Sequence, residues 1–192
     1  MAGSVEVRMY NVGFGDAFRI TVRRGRETWR MLIDCGVHAH GVARPMKDSV
    51  KNIIADLAED CGGTPHLDVV VATHRHRDHI VGFAEDDWET VEVDEVWLPF
   101  VEDVDDPDGK KIRRAHSLTA QKLAALIGAR QQKLAASNNG AAEMLATAMA
   151  FATNSRGNAR ASDRLVGRND TAFATKHEVR YFPDKDAAKN TV

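Results

Sequence analysis

"VVVATHRHRDHIVGF", residues 69–83, packs three histidines and an aspartate into six positions: His74, His76, Asp78 and His79. The run before it, "HLDVVVAT" (66–73), is short and almost continuously apolar. That composition predicts a strand buried on both faces. The cluster begins where this strand ends. Imidazole and carboxylate are good ligands for borderline divalent metals such as zinc. In an extended segment, side chains at i, i+2 and i+4 fall on one side, which is the spacing of His74, His76 and Asp78. His79 breaks that spacing. A chain turning from strand to helix at Asp78 aims His79 at a second, adjacent ion. The spacing therefore divides the set: His74 and His76 on one metal, Asp78 and His79 on the other. Two metals roughly 3.5–4 Å apart share a bridging water and lower its pKa towards neutrality. The plain competing reading is a patch of surface histidines, with Asp78 capping a helix "HIVGFAE". A lone histidine would merit it; four such side chains just after a buried strand do not.

Upstream, the chain reads as strands joined by glycine turns. "VEVRMYNV" alternates Val5, Val7 and Met9 with Glu6, Arg8 and Tyr10, the period of a half-buried strand. "NVGFGD" is a turn, "AFRITVRR" alternates again, "RRGRE" suits a hairpin, and "TWRMLID" returns as a third strand. "CGVHAHGVARP" is a loop whose His38 and His40 are expected in solvent. Val50, Ile53, Ile54, Leu57 and Cys61 recur at helical spacing, with Gly62–Gly63 as a stop, so Met46 to Cys61 is a predicted helix. The glycine turn at Gly13 and Gly15 lacks the third glycine of a dinucleotide fingerprint. It reads as a tight turn beside the cleft, capped by Asp16.

Downstream, "DEVWLPF" (94–100) is a further strand and "VEDVDDPDGKK" (101–111) an acidic, turn-rich loop without the pattern of a calcium loop. Two helical stretches follow, marked by Leu123, Leu126, Ile127 and Leu134, then by Met144, Leu145, Ala148, Met149 and Ala152. "EVRYF" is a last short strand, and "PDKDAAKNTV" reads as a tail.

The chain has 192 residues, 43% of them hydrophobic and 28% charged, enough for a single domain with a real core. Its net charge of −2 marks neither a nucleic-acid-coating protein nor an acidic disordered one. Cys35 and Cys61 form no CxxC pair, so no cysteine zinc site is visible and reduced, packed thiols are expected. The sequence shows no secretory signal and no apolar run near the roughly 18–20 residues of a membrane helix. A cytoplasmic, non-membrane protein is the expectation.

"THRHRDH" resembles the HxHxDH signature of the metallo-β-lactamase superfamily. "NVGFGDAFRI" is similar to that family's early strand–turn–strand, as seen in its DNA-uptake and nuclease-like branch, and "MLIDCG" to its third-strand "IDxG". The resemblance spans about residues 5–100 and implies an α+β fold, a metallo-β-lactamase-like αββα sandwich. It implies two zinc ions, with His74 and His76 on the first and Asp78 and His79 on the second. Manganese or iron would suit the same ligand types. It gives Asp78 a catalytic role at the water or leaving group, and makes Asp34 a buried support rather than a ligand.

The family's second half normally adds a third histidine, a bridging aspartate and a further histidine. After His79 the chain has only His116 and His177. His116 reads as an exposed helix residue, and His177, before a strand, is the candidate additional ligand. Asp163, Asp170 and Asp184 are undistinguished candidates for the bridge. The expected layout is one domain: a motif-bearing half over 1–100, an acidic loop and helical insertion over 101–155, and a partial second half or tail over 156–192. That makes it a truncated sandwich. The function implied is metal-dependent hydrolysis of a small-molecule or nucleic-acid substrate, with a tilt towards phosphodiesters. The competing expectations are a non-catalytic remnant, a subunit needing a complementary chain or homo-oligomer over its open sheet, and an iron-dependent oxygenase.

Overall fold

The computed structural model describes residues 3–39, 41–134 and 158–183. Among them, one mixed sheet of six strands and four helices make an α+β protein. Strands β1 (Ser4–Met9), β2 (Phe18–Arg24) and β3 (Glu27–Ile33) form an antiparallel meander. Helix α1 (Met46–Cys61) then crosses over, and β4 (His66–Val71), β5 (Glu92–Pro99) and β6 (Glu178–Phe182) add in parallel beside β3. The strands lie in chain order, β1 to β6. The "HLDVVVAT" run is buried as its composition predicts: Leu67, Val69 and Val70 are all inaccessible.

One face of the sheet carries Leu32, Val70 and Val96 in register, and α1 lays Val50, Ile53 and Leu57 over it. Each such fully buried side chain is worth about 1.5–3 kcal/mol relative to exposure. The outer end of this interface is ionic. Asp56 and Asp60 of α1 meet Arg8, Arg19, Arg23 and Arg30 of the meander, and Tyr10 donates its hydroxyl to Asp56 (2.5 Å). The opposite face carries Phe18, Ile33, Val71 and Trp97 in one register row, all half-buried. A second sheet is not among the described residues, and neither is the second predicted helical stretch, 144–152.

Two boundaries differ from the sequence reading. The helix "HIVGFAE" of the competing reading is instead a short helix, α2 (Arg77–Ile80), followed by two 3-10 turns, Val81–Ala84 and Asp86–Thr90. Its tail is pinned by the buried Trp88, whose indole N–H donates to the Gly82 carbonyl (2.9 Å). The acidic loop stops earlier than 111, because α3 (Pro107–Leu134) begins within it. Asp106 takes the amides of Asp108 and Gly109 on Oδ1, both at 2.8 Å, and Pro107 fills the first helical position. Helix α4 (Ala159–Val166) closes the described core through the buried Arg164, which donates Nε to the Phe83 carbonyl (2.9 Å) and reaches Asp86 (3.1 Å).

Cys35 is buried, Cys61 half-buried, and both are free thiols. No described helix is long and apolar enough to cross a membrane.

Candidate metal centre

The cluster sits just past the carboxyl ends of β3 and β4, the end of a parallel sheet where ligands are usually held. Asp34 follows β3, Thr73 and His74 follow β4, and His76 to His79 ride on the start of α2. Three chain segments meet here backbone to backbone. Asp16 N–H donates to the Asp78 carbonyl (3.1 Å), and Cys35 N–H to the His79 carbonyl (2.7 Å). Such an approach leaves no room for side chains. A Cβ on Gly36 would lie 2.4 Å from His79 N and 2.5 Å from Asp78 C, and one on Gly15 2.2 Å from Gly36 O. The glycines that read as turn formers are spacers that let the ligand-bearing turn seat itself.

Asp34 organises the site. It is 3% exposed and sits at φ 57°, a left-handed conformation that aspartate tolerates better than most residues. Its Oδ1 accepts the Thr73 amide (2.8 Å); its Oδ2 accepts the Thr73 hydroxyl (2.6 Å) and lies 2.8 Å from His79 Nδ1. A carboxylate only accepts, so His79 Nδ1 carries the proton. The Thr73 hydroxyl donates its hydrogen bond to Asp34, so its lone pair is what faces His74 Nδ1, 3.1 Å away. That nitrogen donates too. Both imidazoles therefore present an unprotonated Nε2, the form that binds a metal. Carboxylate partners on the far nitrogen of ligating histidines are the usual supporting arrangement.

The rings converge. His74 lies 3.8 Å from His79 and 4.7 Å from His76, centroid to centroid, and Asp78 Oδ2 is 3.4 Å from His79 Nε2. Burial pushes the His74 imidazole below its ordinary range, and the neighbouring His79 and His76 push it further. Burial lowers His76 as well, against the pull of Asp78 and with help from His79, His116 and Arg75. Neutral imidazole is the ligating form, so these shifts favour metal binding. Imidazole and carboxylate donors of the kind that divalent ions take are thus gathered in one place by His74, His76, Asp78 and His79.

Sequence reasoning missed two members of the site. Asp16 Oδ2 lies 3.4 Å from His79 Nδ1, and Asp16, Asp34 and His79 offer ligand atoms within 4.8 Å of one another. Thr73 is the bridge between Asp34 and His74. Thr73 directly precedes the motif, and a hydroxyl at that position is a usable signal; Asp16 carries only the signal of a turn cap.

Other candidates fall elsewhere. His177 stacks edge-on against Phe173 (5.3 Å) and puts Nε2 3.0 Å from the Leu165 carbonyl, so that nitrogen is engaged in packing rather than aimed at the cluster. His116 is exposed on α3, as expected, although its charge reaches His76. The expectation that His38 lies in solvent is corrected: it is 2% exposed. Phe14 folds against its ring (5.7 Å), and the two backbones join through His38 N–H to Phe14 O (2.7 Å). His40 and Asp184 lie outside the described residues. Asp163 accepts from Asn169 (2.9 Å), and Asp170 is exposed.

Beside His74 lies a cavity of ≈ 250 Å³. Its walls include Arg75, Arg113 and Arg168 against Glu102 and Asp163, with apolar surface from Ile80 and Leu98. Arg75 pairs loosely with Glu102 (3.7 Å), and its Nε has no hydrogen-bond partner among the described residues.

Comparison of the chain with protein-family models, with curated proteins and with solved structures gives no match.

Proposed function

We propose that the chain is a metal-dependent hydrolase of metallo-β-lactamase type, holding two zinc ions and acting on a phosphodiester. The observation that carries this reading is the Thr73–Asp34 bridge, which sets His74 and His79 in the same ligand-ready tautomer. A patch of surface histidines has no use for a buried carboxylate serving two of them. His74 and His76 would hold the first ion, Asp78 and His79 the second. When bound, such ions supply an activated water and stabilise charge on the electrophile. Asp34 and Thr73 orient, Asp16 adds negative charge beside His79, and Asp78 would take the catalytic carboxylate role that the resemblance implies. The finer fold reading belongs to the same proposal: half of an αββα sandwich, whose second sheet would pack on the face of Phe18, Ile33, Val71 and Trp97.

The substrate reading rests on the cavity beside His74. Three arginines outnumber two carboxylates there, which suits an anionic group with an apolar attachment. Arg75 is the adjacent cation, one residue from His74, and is only loosely paired.

A second reading is favoured by the position of His177. With its Nε2 engaged by Leu165, the described residues supply ligands from one wall of the site only. A complementary chain or second copy would then complete it.

One experiment separates these. Metal content per chain is measured on protein purified without added metal, beside a His74→Ala/His76→Ala double variant, with hydrolysis of a generic phosphodiester in parallel. Two ions per chain, lost in the double variant together with hydrolysis, support the autonomous enzyme. Less than one ion with no hydrolysis sinks it and leaves the half-site.

A further inference from the structure

Among the described residues, strand β1 is an edge of the sheet, and its side chains on the face opposite α1 are apolar. Val5, Val7 and Met9 are 66%, 63% and 73% exposed. Edge strands normally protect themselves against pairing with another chain, by charges, proline or a bulge. This one has no proline and pairs with β2 residue for residue, Ser4↔Arg23 through Met9↔Phe18, without a bulge. Its charges, Glu6 and Arg8, lie on the α1 side of the sheet, where Arg8 meets Asp56 and Glu6 meets Arg23.

The backbone says which groups are open. Tyr10 N–H donates to the Ala17 carbonyl (3.0 Å). Antiparallel pairing alternates, so the amides and carbonyls of Tyr10, Arg8 and Glu6 face β2. Those of Met9, Val7 and Val5 face outwards. A strand joining this edge must therefore set its own outward-facing residues against these three.

We propose that β1 pairs antiparallel with β1 of a second copy of this chain, centred on Val7, to give a two-fold dimer with one continuous sheet. In that register Val7 opposes Val7 of the other copy and Val5 opposes Met9, so all three open residues are hydrogen-bonded. The apolar side chains then meet on one face. On the other face Glu6 opposes Arg8 twice, once on each side of the axis. These are non-hydrogen-bonded positions, where facing side chains come closest. A slip to either neighbouring register that keeps the hydrogen bonds brings Glu6 against Glu6 or Arg8 against Arg8. Like charges directly opposite are destabilising, so the sequence of β1 selects the central register. Self-complementarity of this kind, with residue i meeting j and j meeting i, is what a two-fold interface requires. An unrelated strand has no reason to carry it. The proposal is independent of the metal reading.

Sedimentation of the full chain across a dilution series tests it. The wild-type chain is expected to move from dimer to monomer on dilution. Glu6→Arg and Arg8→Glu each put like charges opposite and should weaken the dimer about tenfold, whereas the double variant restores opposite charges and should return to within about threefold of wild type. Arg8 and Glu6 also pair within the chain, so circular dichroism accompanies each variant. A second measurement leaves those pairs intact. In a Cys61→Ser background, a short bismaleimide should join Val7→Cys into a dimer and leave Val5→Cys monomeric, since Val5 faces Met9 rather than itself. A wild-type chain that is monomeric at every concentration overturns the proposal. So does a dimer that Glu6→Arg leaves unchanged in a folded chain, or cross-linking of Val5→Cys in preference to Val7→Cys.

Discussion

Asp34 Oδ2 lies 2.8 Å from His79 Nδ1, and the same oxygen takes the Thr73 hydroxyl at 2.6 Å. One buried carboxylate thus decides which nitrogen of two histidines is free. Asp34→Asn keeps the size and tolerates the φ 57° backbone, but half its acceptor capacity becomes donor. With the amide oxygen in the place of Oδ1, the bonds from the Thr73 hydroxyl and His79 Nδ1 are both lost; with it in the place of Oδ2, an amide N–H is set against the Thr73 N–H. If the cluster holds zinc, the variant should bind it about 10–100-fold more weakly while remaining folded. Competition with a chromophoric chelator measures this, and unchanged affinity would remove Asp34 from the site.

Thr73 allows a sharper comparison. Thr73→Val keeps shape and removes the hydroxyl, so the Asp34 oxygen loses a donor and His74 Nδ1 loses its acceptor. Thr73→Ser restores both. Zinc affinity is expected to fall about tenfold in the valine variant and to stay near wild type in the serine variant. Equal losses in the two would mean that the methyl group, not the hydroxyl, matters here.

Gly36 is a test of the scaffold rather than of the ligands. A methyl group there would lie 2.4 Å from His79 N and 2.5 Å from the Arg77 carbonyl, atoms of a backbone that cannot swing aside. Gly36→Ala should cost about 3 kcal/mol in urea unfolding, at the upper end of overpacking penalties, and should displace the turn that bears Asp78 and His79. A stability within error of wild type would show that the turn yields.

What was legible in the sequence follows the range of the interactions. The strand alternation through Val5–Val7–Met9, the α1 stripe of Val50, Ile53 and Leu57, and the buried β4 run depend on neighbours within a few positions, and each element formed where its pattern lay; the expected half-burial of β1 is corrected, since burial needs a distant partner and Val5, Val7 and Met9 are exposed. The ligand motif was local too. The start of α3 was legible and overlooked: Asp106–Pro107 is a cap followed by a first-turn proline. Asp16 was not legible as a partner of His79, because only the backbone approach of Gly15 and Gly36 brings it there. The burial of His38 depends likewise on Phe14 folding back over the loop, a contact across 24 positions of chain.

The ionic seam between α1 and the meander predicts an acid response. Burial pushes the Asp60 carboxyl up, but the Arg30 hydrogen bond and the charges of Arg19, Arg30 and Arg23 outweigh it, so Asp60 sits below the ordinary carboxylate range. Its folded pKa is thus lower than its unfolded one, and between the two the unfolded chain binds more protons. Stability must then rise with pH across that window. The contribution is complete above the unfolded carboxylate value, about 3.9, and is lost as pH falls through the folded value. Asp60→Asn cannot titrate, leaves Arg30 without its carboxylate and leaves Arg23 with Glu6 alone. It should lower stability at neutral pH and make the acid limb of the stability profile shallower than in wild type. Urea unfolding across the acid range measures both. Parallel acid limbs in the two proteins would show that Asp60 titrates alike folded and unfolded, and that the seam holds the sheet by packing of the arginine stems instead.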